Sequence, residues 1–132
     1  MFIDRLTPEE RRPFLSVAYR LLAVDGVTED ELAALSMLTT QAGIGQEWSP
    51  DTTTPLDDLL SVIKSPMARR ATMMELIGLA YADLTFGPEE RAFIKHAADL
   101  MALSVTETAQ MENWVLQQLN LARQAELLLR GR

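Results

Sequence analysis

The chain contains no cysteine, which excludes disulfides, thiolate metal sites and thiol redox chemistry, and suits a reducing compartment. It has a single histidine, His96. With no second histidine, no cysteine and no Gly-x-Ser-x-Gly, a nucleophile and base pair has no residues to draw on, so an enzyme ranks last among the readings. Long apolar runs are also missing: none approaches the roughly 20 residues needed to cross a bilayer. The first residues, Met1 to Arg12, are charged where a secretory signal would be apolar. A cytoplasmic protein without membrane insertion is expected. A basic surplus is lacking too. The net charge is -7, with 11 acids against 5 bases in residues 1–64 and 8 against 7 in residues 65–132. Arg11-Arg12, Arg69-Arg70, Arg130 and Arg132 form no extended stripe, and a surface this negative repels phosphate backbones, so nucleic acid and anionic membrane are not expected partners.

What the chain does have is enough apolar content for one core, 48% of 132 residues, and unusually clear helix punctuation. Thr7-Pro8-Glu9-Glu10, Thr28-Glu29-Asp30-Glu31 and Ser104-Val105-Thr106-Glu107 each read as a capping box. Thr54-Pro55, Ser65-Pro66 and Gly87-Pro88 add cap-then-proline starts. Six helices are predicted, at about 8–24, 29–42, 55–63, 66–82, 88–102 and 105–129. Phe14, Val17, Ala18, Leu21 and Leu22 make one apolar stripe, and Phe93, Ile94, Ala97, Leu100 and Met101 make another. No segment alternates with period two over a useful length, so the fold class is all-α.

The sequence also repeats itself. Ala23-Val24-Asp25-Gly26-Val27-Thr28-Glu29-Asp30-Glu31 lines up with Tyr81-Ala82-Asp83-Leu84-Thr85-Phe86-Gly87-Pro88-Glu89-Glu90 if the first copy lacks one loop residue. The match runs on: Ala34-Leu35, Leu38, Ala42 and Ile44 fall on Phe93-Ile94, Ala97, Met101 and Leu103. A single helical hairpin has no cover for its own apolar stripe, so two copies related by an internal pseudo-two-fold axis are expected to form the core. The expected layout is one domain over residues 1–132, with repeat 1 at about 8–44, a connector at 45–65, repeat 2 at about 66–103 and a C-terminal helix at 105–129. Trp48 in the connector is expected to fold back onto the core. The last helix, apolar on more than one side near its end, is expected to cross both hairpins as a core strut, with partner contact as the alternative.

Candidate functional residues cluster at the two bends. Asp25 and Asp83 each follow a helix C-terminus, where the helix dipole disfavours a carboxylate. Two accounts compete. In one, the aspartates accept turn hydrogen bonds and Glu29, Asp30, Glu31, Glu89 and Glu90 favour first helical turns. In the other, Asp25 with Glu31, and Asp83 with Glu90, supply oxygens to a cation. Such an ion would be hard, Ca²⁺ or Mg²⁺, because oxygen ligands are plentiful and thiolates absent. The spacing is not that of an EF-hand. His96 is expected at a boundary or on the surface, and Gly43-Ile44-Gly45 reads as a helix C-cap.

Ala82-Asp83 followed by Pro88-Glu89-Glu90-Arg91, and Val24-Asp25-Gly26 followed by Glu29-Asp30-Glu31, resemble the Ala-Asp-Gly…Glu-Glu signature of TerB-like domains. This tellurite-resistance family also occurs at the start of some membrane-anchored co-chaperones. The resemblance covers about residues 13–120. It implies an all-helical fold with internal pseudo-two-fold symmetry, an association with stress and tellurite resistance, and metal ligation by Asp25, Glu31, Asp83 and Glu90. The first bend is one residue short, and Leu84 stands where the family usually has glycine. Tellurite itself is an oxyanion that a carboxylate cluster repels, and its reduction by thiols needs cysteine. The expected function is therefore a non-enzymatic module. It binds a divalent cation at its acidic turns, or a protein partner at the acidic N-terminal half or the C-terminal helix; the alternative is a purely structural interaction domain without metal.

Overall fold

The computed structural model of the protein describes residues 2–24, 26–45, 47–82 and 86–131. Among these, six α-helices and no strand are present: α1 Pro8–Ala23, α2 Glu29–Gln41, α3 Leu56–Ser61, α4 Pro66–Ala80, α5 Pro88–Leu100 and α6 Val105–Leu129, preceded by a 3-10 turn at Ile3–Arg5. Each begins within one residue of its predicted start. Proline or a hydroxyl cap fixes those starts, whereas the ends fray into turns that periodicity alone does not locate.

Helices α1 and α4 form the centre. Phe14, Leu15, Val17, Ala18, Leu21 and Leu22 are fully enclosed on α1, and Met73, Leu76, Ile77 and Ala80 are nearly so on α4. Five consecutive residues, Phe14 to Ala18, are buried, so α1 has cover on several sides, as an apolar helix requires. Burying each large aliphatic or aromatic side chain contributes roughly 1.5–3 kcal/mol, more than any single cap or ion pair here.

Several packing contacts recur in the two halves. Helix α1 packs on α2 as α4 packs on α5; α1 also meets α5, and α4 meets α2. The short element ahead of each central helix crosses over, α3 onto α1 and the 3-10 turn onto α4. Helices α2 and α5 also end alike. Gly43 (φ 72°) and Ala102 (φ 59°) both adopt the left-handed conformation just past the helix, and Ile44 N–H and Leu103 N–H reach back to the carbonyls of Thr39 and Ala98, 3.1 and 2.9 Å away. This closes orphan carbonyls of the last turn.

An arginine clamp not anticipated from the sequence ties each half together. Arg11 donates from Nε to the Leu6 carbonyl (3.2 Å) and from Nη1 to the Ala42 carbonyl (3.4 Å). Arg69 does the same to the carbonyls of Ile63 (2.9 Å) and Met101 (3.4 Å). Each guanidinium thereby joins the entry of its own helix to the C-terminal end of a flanking one, where a cation is favoured.

The connector is pinned to α1. Arg20 donates twice to the Asp51 carbonyl, at 3.0 and 2.7 Å, and the Asp51 N–H donates to Ser16 Oγ at 2.9 Å. The Asp51 carboxylate accepts from the Thr54 hydroxyl and from the N–H groups of Thr54 and Thr53, both at 3.0 Å. These bonds, the Thr54 hydroxyl first, hold its carboxyl well below the usual carboxylate range. Trp48 packs partly buried against the core, as expected.

Helix α6 departs from the expected strut. Met111 and Val115 are buried, and α6 packs chiefly on α4, but every described residue from Asn120 to Gly131 is exposed. Leu128 and Leu129 are 76% and 82% exposed. The apolar width taken as a sign of burial belongs instead to a segment running past the edge of the body.

Two measurements test this account. In urea unfolding, Arg11→Ala and Arg69→Ala should each cost about 1–2 kcal/mol, the worth of charge-assisted bonds to partly buried carbonyls, whereas Arg12→Ala, which is exposed, should stay within about 0.5 kcal/mol. Equal losses at all three positions would remove the clamp. For Asp51, the folded carboxyl titrates below its unfolded value of about 3.9. Its stabilisation is therefore present above that pH and lost as pH falls toward the folded value. Asp51→Ala should melt earlier than the unaltered chain at pH 7, with the gap closing progressively below about pH 4; a gap independent of pH would contradict the assignment.

Candidate functional site

The predicted site residues Glu31 and Glu90 occupy matching places, each three residues into its helix cap and each only 2% exposed. Glu31 Oε1 accepts from the Thr28 N–H (3.0 Å) and the Thr28 hydroxyl (3.2 Å), while the Glu31 N–H donates to Thr28 Oγ1 (3.2 Å). Glu90 Oε1 accepts from the Gly87 N–H at 3.2 Å. Glycine has no side chain to return the bond, so the second box is half of the first. The device recurs at Glu10, which accepts from the Thr7 N–H at 2.8 Å, and at Glu107, paired with Ser104 at 2.9 and 3.0 Å. Satisfying first-turn N–H groups with a carboxylate at the positive end of the helix explains all four.

This geometry bears on the cation. Asp25 and Asp83, the other two proposed ligands, lie outside the described residues. Among the described residues, no group of three or more His, Cys, Asp or Glu is arranged to hold an ion. Glu31 and Glu90 therefore do not make a cation site without the two aspartates.

A second site was not anticipated from the sequence. Faces of α2, α4 and α6 converge on an apolar groove of about 390 Å³. From α2 come Ala34, Met37, Leu38 and Gln41; from α4, Met74, Glu75, Gly78 and Leu79; from α6, Trp114, Val115, Gln118 and Leu119. Each set has the spacing of one helical face. Small residues leave the space: Ala34 offers one methyl group, and a Cβ placed on Gly78 would meet nothing within 4 Å. Phe2 closes one end. Its ring lies 5.6 Å from Trp114, and its backbone N–H donates to Glu75 Oε1.

The first part of α6 is anchored by a polar and aromatic network. The Tyr81 hydroxyl donates to Glu112 at 2.7 Å, and Arg91 donates to Glu112 and to the Tyr81 oxygen at 3.1 and 3.3 Å. Arg91 also lies 4.2 Å over the Phe86 ring, which stacks on Tyr81 at 4.8 Å. Burial, reinforced by Glu112, pushes the Tyr81 hydroxyl above its ordinary pKa, so it stays a neutral donor. Arg70 adds an ion pair to Glu107 at 3.0 Å. His96 is on the surface of α5.

The groove was illegible because it is made by what three helices leave out. Met74, Gly78 and Trp114 lie far apart in sequence, and only their mutual placement shows that the core stops short there. The clearest available signal was Gly78, a residue that costs helix stability of about 1 kcal/mol relative to alanine.

The family model for tellurite resistance protein TerB matches residues 3–113. No curated protein and no solved structure shows a match to this chain. The family match stops at the residue before Trp114, so the exposed part of α6 lies beyond it.

The roles of the two buried glutamates are separable by thermal melting in EDTA and in millimolar Ca²⁺ or Mg²⁺. As caps, Glu31→Ala and Glu90→Ala should each cost about 1–2 kcal/mol in every buffer, and the glutamine variants, which keep an acceptor, should cost less. As cation ligands, they should show a midpoint that rises with metal in the unaltered chain and fails to rise in the glutamine variants.

Proposed function

The chain belongs to the tellurite resistance TerB family, and on that footing we propose that it is a non-enzymatic module whose groove receives an apolar helix from a protein partner. The observation that carries this is the groove itself. It is open, almost wholly apolar, bordered by the exposed Met37 and lined by Met74 and Trp114. Methionine adapts to varied apolar surfaces, and tryptophan presents a large rigid face, the combination suited to helix-in-groove recognition. The groove lies between α2, in the acidic half of the chain, and the C-terminal helix, the two partner surfaces expected from sequence. A contribution to tellurite or stress resistance then runs through assembly with a partner and not through chemistry on the oxyanion.

The second reading is a hard divalent cation, Ca²⁺ or Mg²⁺, held by Asp25 with Glu31 and Asp83 with Glu90. What favours it is the matched burial of the two glutamates.

The groove reading is tested with a synthetic amphipathic helical peptide bearing leucines on one face and lysines on the other, followed by NMR of the methionine methyl groups. Met37 and Met74 should shift on titration, and Met67, exposed away from the groove, should not. Gly78→Met fills the space without disturbing the helix, because nothing opposes its Cβ, and should abolish the shifts. Unmoved Met37 and Met74 signals at millimolar peptide would refute the reading.

A further inference from the structure

Two unpartnered apolar surfaces lie side by side on this molecule: the groove, and the part of α6 that leaves the body. They share a face. Met111 and Val115 pack inward, and the positions seven residues further on, Gln118 and Ala122, then Ala125 and Leu129, continue the same line along the helix. Leu121 and Leu128 flank that line and are exposed. An apolar stripe on an unsupported helix has little reason to persist unless something covers it.

Charge points to the cover. Residues 116–132 hold Arg123, Arg130 and Arg132 against Glu126, a net +2, whereas residues 1–115 hold 18 acids against 9 bases, a net -9. The exposed segment thus carries the sign opposite to every other copy's body, and electrostatic steering favours meeting such a body. We propose that the occupant of the groove is the exposed α6 segment of a second copy, exchanged reciprocally in a two-fold dimer; this rests on the groove reading above and names its partner.

The register follows from the stripe. If two α6 helices run antiparallel and cross at Ala122, Leu129 of one copy falls level with Val115 of the other, seven residues to either side. Leu128 and Leu129 then enter the groove beside Trp114 and Gln118. Ala122 and Ala125 at the crossing let the helices approach closely. Area supports exchange over a one-way contact. The segment from Asn120 to Gly131 is roughly 18 Å long at 1.5 Å per residue, and half the surface of such a helix is roughly 300 Å². One seat falls far short of a stable interface, whereas two seats with their linings reach about 1,200 Å², the lower edge of the standard range. A symmetric pair satisfies both surfaces of both copies at once and leaves no open end.

The test uses the full chain in sedimentation equilibrium and in oxidative cross-linking, for which the absence of cysteine gives a clean background. A dimer is expected. Leu128→Glu with Leu129→Glu, at positions too exposed to affect folding, should weaken it by more than about 10-fold, and Gly78→Met should do the same. Ala122→Cys should oxidise to a covalent dimer, and Leu127→Cys, on the opposite face of α6, should not. A chain that stays monomeric at hundreds of micromolar overturns the inference, as does a dimer indifferent to Gly78→Met. Repeating the peptide titration on the doubly substituted chain reads the groove by itself: methionine shifts there with no dimer in the unaltered chain would leave the groove reading intact and sink only the second copy.

Discussion

Helices α1 and α4 carry the largest share of the fully enclosed side chains, and the rest of the molecule is arranged to cover those faces. A lone helix buries one stripe against one neighbour. A central helix enclosed on several sides needs several, and this chain supplies them by pairing each central helix with a flanking one of its own half and one of the other. The exchange makes the halves interdependent. Phe14, Leu22, Leu76 and Ile77 are enclosed on the two central helices, each of which packs on helices of both halves, and their burial outweighs the local devices at the bends.

That constraint sets the task of the polar residues. Each covering helix has to leave its partner through a short bend and start again at once, so first-turn N–H groups and last-turn carbonyls fall at partly buried places. Carboxylates Glu10, Glu31 and Glu90 close the starts, and Arg11 and Arg69 close the ends of α2 and α5. The acidity of the chain has a structural origin in this. Glu9 and Glu10, Glu29, Asp30 and Glu31, Asp57 and Asp58, Glu89 and Glu90, and Glu107 all lie on first helical turns, where the helix dipole welcomes them. Acid clustering in this fold therefore has a sufficient cause in helix capping.

The cover is incomplete where the apolar groove opens. Helices α2, α4 and α6 approach around Gly78 and Ala34 without enough side-chain volume to fill the gap, and α6 then runs beyond the body with its apolar line intact. The network of Tyr81, Arg91, Glu112 and Phe86 ties the first part of α6 to the end of α4 and to α5, which sets the direction of the exposed remainder. An anchored base and an uncovered extension that is already helical favour intermolecular use, because less ordering is left to oppose association.

Periodicity and punctuation were sufficient for the helix count, the helix starts and the all-α class, since caps, prolines and the 3.6-residue period act locally. The matching starts of α2 and α5 were legible for the same reason, because Thr28 to Glu31 and Gly87 to Glu90 carry their own caps. Arg11 and Arg69 stood in plain view near the starts of α1 and α4, but an arginine's acceptors include carbonyls distant in sequence, Ala42 and Met101 here, and nothing local names them. The outward run of α6 was misjudged because apolar width measures what a helix prefers to contact, not whether a neighbour is long enough to reach it. Local chemistry along the chain settles which segments coil and which sides they seek to hide. Where the cover runs out emerges only on packing, because a groove is a property of the distances between helices, and those are set by every side chain in the core together.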